Sequence, residues 1–117
     1  NADPTMIGYL VGCNFGRGFP RYVRDFNANY LALPALPSVV VKDAASDREV
    51  VVRRIDTSKH GLWIAVVNAS LHAKHGVTVT VPVGTVTDAV TGQAVPAAGG
   101  KISVDLVPCQ LRSFRVQ

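Results

Sequence analysis

A chain of 117 residues has room for one domain with a genuine core and little room for a second. Hydrophobic residues make up 48% and charged residues only 17%, a balance that excludes a disordered segment. Behind the net charge of +4, three arginines lie close together in FGRGFPRYVRDF, while Arg53, Arg54, Arg112 and Arg115 lie in apparent strands, where every second side chain faces water. With no basic-aromatic signature beside them, nucleic acid is not an expected partner.

The chain opens NADPTMIGYLVG without a basic leader ahead of an apolar run, so either a leader has been removed or Asn1 lies within a longer protein. No apolar run approaches the roughly 20 residues that cross a bilayer, and no membrane association is expected. The glycines of GCNFGRGFP lack the Gly-Lys-Ser/Thr ending of a phosphate loop and read as an ordinary loop. In PRYVRDFNANYLAL, Val23, Phe26, Tyr30 and Leu33 recur at steps of three and four, which predicts a short helix with Pro20 at its start. The prolines of ALPALPS then end the helix and hold the chain extended.

After Ser38 the period becomes that of strands. EVVVRRI is β-branched and runs into the turn DTSKHG; LWIAVVN is apolar on both faces and belongs in a central position. GVTVTVP sets Val77, Val79 and Val81 against Thr78 and Thr80. KISVDLV repeats the device with Ile102, Val104 and Leu106 against Lys101, Ser103 and Asp105. HAKHG, TDAVTG and PAAGG read as connections. The closing strand QLRSFRV is expected to pair with KISVDLV across a corner at Pro108. The predicted fold is mainly β, an antiparallel β-sandwich with a short N-terminal helix. Residues 1–38 supply the helix and proline-bearing connector, and residues 39–117 the sandwich.

The run LWIAVVNAS, VTVTVP, VTDAVTGQAV and KISVDLVPCQLRSFRV resembles the C-terminal β-sandwich that follows a (β/α)8 catalytic barrel in many glycoside hydrolases. Three features carry the resemblance: a strand ending in Asn68, a D-x-x-T-G turn at Asp88, Thr91 and Gly92, and a final hairpin of the form apolar-Pro-x-x-apolar-x-x-Phe. The turn also has a physical logic, since an aspartate can accept from backbone amides ahead of it and glycine takes a positive φ freely. The resemblance implies a non-catalytic accessory domain. Its helix would be the outer helix ending a barrel absent from these residues, Phe26, Tyr30 and Leu33 would contact that barrel, and the location would be extracellular or periplasmic. The alternative is an independent carbohydrate- or protein-binding sandwich.

No carboxylate pair stands at strand ends to serve glycoside hydrolysis, so no catalytic residue is assigned. Serines lack a G-x-S-x-G elbow and a base. His60, His72 and His75 could bind a metal only if separate loops met and read as surface histidines; no metal or cofactor is expected. Cys13 and Cys109 read as small buried hydrophobes, or as a bridge closing almost the whole domain in an oxidising compartment. Asn68-Ala69-Ser70 matches the N-glycosylation pattern at an expected accessible strand end. Trp63, flanked by Leu62 and Ile64, reads as a core residue rather than a sugar platform.

Overall fold

The structure, a computed structural model, describes residues 21–117. The chain runs α1 (Arg21–Leu31), β1 (Val39–Val40), β2 (Val50–Asp56), β3 (Leu62–Asn68), β4 (Lys74–Thr80), β5 (Val86–Asp88), β6 (Lys101–Leu106) and β7 (Leu111–Val116). Alternation does in β4 and β6 what it predicts: Val77, Val79, Ile102, Val104 and Leu106 are buried, while Thr78, Thr80, Lys101, Ser103 and Asp105 face water. These two strands pair antiparallel as one sheet; the other sheet has the order β1-β2-β3-β7-β5, with every pairing antiparallel. Apolar side chains of both sheets meet in one cluster that includes Val52, Ile64, Val66, Val79, Ile102, Leu106 and Phe114. The fold is thus the antiparallel sandwich that the sequence predicts. Full burial of each such side chain contributes about 1.5–3 kcal/mol relative to exposure.

LWIAVVN occupies the centre of the larger sheet, between β2 and β7. Its two apolar faces have two different covers. Ile64 and Val66 point into the sandwich core. Ala65 points the other way and is buried outside that core, as are its row neighbour Ser113 on β7 and, on adjacent rows, Ile55 of β2 and Leu111 of β7.

Three expectations change. First, β7 does not pair with β6. The turn at Val107–Gln110, closed by the Gln110 amide donating to the Val107 carbonyl at 3.2 Å, carries the chain from the small sheet to the large one. There β7 inserts between β3 and β5. Alternation fixes which face of a strand is buried, but not its neighbour, so a sheet-changing corner and a hairpin look alike in sequence. Second, HAKHG is only partly a connection: Lys74, His75 and Gly76 belong to β4, where a bulge shifts the register between Lys74 and Val77. Third, Val86–Asp88 of the expected turn region is a short edge strand against β7. The turn itself starts at Asp88, as predicted. Its Oδ1 accepts from the amides of Val90 and Thr91 at 2.9 and 3.0 Å, and Gly92 has φ 73°.

Candidate functional site

α1 lies against β7 on the outer face of the five-stranded sheet. One residue fixes it there. Asn29 donates its side-chain amide back to the Asp25 carbonyl at 2.9 Å, and its Oδ1 accepts from the Ser113 backbone amide at 2.9 Å. The Ser113 hydroxyl in turn donates to the Asn29 carbonyl at 2.6 Å. Ser113 is fully buried, so an amide that β5 leaves unpaired beyond Asp88 is satisfied by a helix. Further along, the proline connector is tied to β2 by Arg53, whose Nε donates to Ser38 Oγ at 2.7 Å and whose Nη2 donates to the Ser38 carbonyl at 3.3 Å.

Between these two ties runs a groove of about 740 Å³. Phe26, Tyr30 and Leu33 line one wall, together with the connector; Ile55, Ala65, Val67 and Leu111 of the sheet form the floor. The rings of Phe26 and Tyr30 lie side by side, centroids 6.2 Å apart and planes 8° from parallel. The structure therefore brings together the three residues singled out at helical spacing. Phe26 is 36% exposed, and Leu31 and Leu36 beyond it are 67% and 47% exposed, so the rim of the groove remains apolar and open. Among the described residues the one charged side chain in the lining is Arg53, already engaged by Ser38.

Asn29, Ser113 and the Arg53–Ser38 tie escaped the sequence reading. A signal was present for the third layer alone: LWIAVVN is apolar on both faces, and a central strand of that kind needs a cover on each. Trp63 is a correction. It sits on the outer face in register with Arg115, half-buried and outside the core cluster, with the Arg115 guanidinium 4.9 Å from its ring centroid. One face of the indole is thus taken by a cation-π contact. Asn68 is a second correction. It is fully buried, donating to the carbonyls of His72 and Val107 at 2.8 and 3.1 Å and accepting from the Ser70 amide and hydroxyl at 3.1 and 2.8 Å. A side chain so enclosed cannot receive a glycan; it holds the β3–β4 connection to the β6–β7 corner.

His60 lies in the β2–β3 turn, at the opposite end of β3 from His72 and His75, and the three do not meet; no metal-binding cluster occurs among the described residues. Cys109 is exposed, with its thiol 3.7 Å from the Ser70 carbonyl. Cys13 and the glycine-rich loop lie outside the described residues. Five of the described acidic side chains serve the scaffold. Asp47 and Glu49 both pair with Lys74, Asp56 pairs with Arg54, and Asp105 accepts from the Gly76 amide. Asp88 binds Arg112 at 3.0 Å. Its burial pushes the carboxyl up, but the Thr91 amide, the Arg112 guanidinium and the Val90 amide outweigh that and hold it below the ordinary aspartate value.

No protein-family model and no curated protein sequence matches the chain. Solved structures do match in fold. One is a Bacteroides fragilis protein assigned as a candidate alpha-galactosidase/melibiase, 19% identical over 61% of this chain with a TM-score of 0.52. Another is AmyP, seen in complex with maltose and, as a variant, with maltotriose; it is 15% identical over 69% of this chain, with a TM-score of 0.54. In each case the match spans only 16% of the other chain. The neighbours are glycoside hydrolases, and the likeness is one of fold to a small portion of each.

Proposed function

We propose that this chain is the non-catalytic accessory sandwich of a glycoside hydrolase, with residues 1–38 leading out of a catalytic barrel and residues 39–117 forming the appended domain. The observation that carries the reading is the fold match to about a sixth of two such enzymes, joined to an apolar groove whose rim is exposed. The groove, through Phe26, Tyr30 and Leu33, faces the barrel of the same polypeptide, and the domain stabilises that barrel and borders its substrate cleft. Among the described residues no helix is long and apolar enough to cross a membrane, which accords with an extracellular or periplasmic enzyme.

A second reading rests on the Phe26–Tyr30 pair, whose nearly parallel rings offer flat apolar surface of the kind that carries sugar rings. It makes the domain a carbohydrate-binding module. One measurement tests the non-catalytic role common to both readings, and a second separates them. Highly purified chain is expected to show no turnover of a panel of aryl-glycosides above a protein-free blank; turnover would overturn the accessory reading. The native polypeptide, captured with an antibody to the domain and weighed intact, is expected to be several times larger than 12.4 kDa. A product of this size that binds glycans in titration would favour the second reading.

A further inference from the structure

We infer that α1 is mechanically part of the sandwich, held to it by a polar latch at Asn29 whose release frees the helix without opening the sheets. The periodicity of the sequence changes at Ser38, but the bonds that matter cross that point. An eleven-residue helix is too short to persist alone in water, since nucleation is unfavourable and isolated helices below roughly 12–15 residues are marginal. Its order must come from what it touches. The apolar side of that contact is a crevice, open at Phe26 and at Leu31, and gives no unique axial position to the helix. Directional bonds do. Asn29 supplies both its side-chain oxygen and its main-chain carbonyl to one fully buried residue, Ser113. Sliding or rotating α1 by one residue would leave the Ser113 amide and hydroxyl buried with no acceptor, a penalty that keeps the helix in register.

The latch sits where a strand runs out. Ala89 donates its amide to the Ser113 carbonyl at 2.9 Å, and beyond that the β5 side of β7 has no further ladder residue to accept from Ser113. Asn29 fills the missing rung. β7 is thus flanked by β3 on one side and, on the other, by β5 and then a helix side chain. α1 therefore moves with β7 and not as a separate body. This inference does not depend on the accessory reading.

Hydrogen exchange on the 117-residue chain tests it, with the amides of β4 and β6 reporting the opening of the sandwich itself. In the wild type, amides of the last two turns of α1 are expected to be protected well beyond those of a short free helix. Asn29→Ala should speed exchange in α1 by about tenfold or more, leaving α1 amides exchanging faster than those of β4 and β6, and Asn29→Asp, which retains the acceptor for the Ser113 amide, should restore much of the protection. Ser113→Ala, which removes only the hydroxyl from a site where alanine fits, should show the same helix-confined effect in smaller degree. Unprotected α1 amides in the wild type would overturn the latch. So would α1 amides of Asn29→Ala that exchange no faster than those of β4 and β6, or Asn29→Ala rates equal to wild type.

Discussion

At the scale of single residues, the buried polar side chains have no polar atom left without a partner among the described residues, and three of them hold connections rather than chemistry. Asn68 satisfies two carbonyls and two Ser70 donors at once. Asn68→Ala should therefore cost about 2–3 kcal/mol, read as a shift in the urea midpoint; a loss under about half that would mean that the loops hold without it. Asp88 gives a pH signature. Its folded pKa lies below its unfolded one, so its contribution is present above the ordinary aspartate value and fades as pH falls through the depressed folded value. Between pH 6 and pH 3 the Asp88→Asn variant is expected to lose less stability than the wild type. Equal losses would assign the acid sensitivity to other carboxylates.

At the scale of elements, what could be read from sequence and what could not follow from one physical distinction. β4 and β6 are legible because period-two alternation reports a face, and each strand has one face in the core. The helix is legible because Phe26, Tyr30 and Leu33 report a face at period 3.6, and these three line the groove. Partners are not encoded that way. β7 carries buried residues on both faces, Leu111, Ser113, Phe114 and Val116, but its sequence reads as the closing strand of a hairpin with β6 and does not show that it lies between β3 and β5. The same limit hid Asn29, whose partner lies 84 positions away. Two substitutions test the layers separately. Phe114→Ala removes a fully buried ring from between the sheets and should destabilise by about 3–5 kcal/mol. Phe26→Asp alters a half-open groove wall, so thermal unfolding of this chain should fall by only a few degrees, and by more in a longer polypeptide that covers the groove. Unchanged stability of both forms would remove Phe26 from any interface.

At the scale of the whole molecule, three layers are stacked: the small sheet, the large sheet, and α1 with its connector. The first two share a valine-rich core; the second and third share Ile55, Ala65, Val67 and Leu111. A fragment of residues 39–117 keeps the first core and loses the cover of the second. It is expected to unfold at lower urea concentration than the 117-residue chain and to bind a dye such as 1-anilinonaphthalene-8-sulfonate. A fragment matching the longer chain in both assays would make α1 dispensable. Among the described residues no carboxylate lines the groove, and Asp47, Glu49, Asp56, Asp88 and Asp105 are engaged with Lys74, Arg54, Arg112 and the Gly76 amide. Substrate choice would then belong to the catalytic unit that the groove is proposed to face.

The placing of β7 also has a consequence for biosynthesis. A ribosome makes this strand after every other strand of the domain, yet it lies inside the large sheet, between β3 and β5. While translation has reached only Pro108, the three-stranded ribbon β1-β2-β3 can form, but the far edge of β3, toward which the backbone groups of Leu62, Ile64, Val66 and Asn68 point, stays unpaired. A nascent edge of that kind is a template for another chain. Slow or interrupted elongation just before Leu111 is thus the point of greatest exposure to misassembly, and rapid completion of the last strand closes it.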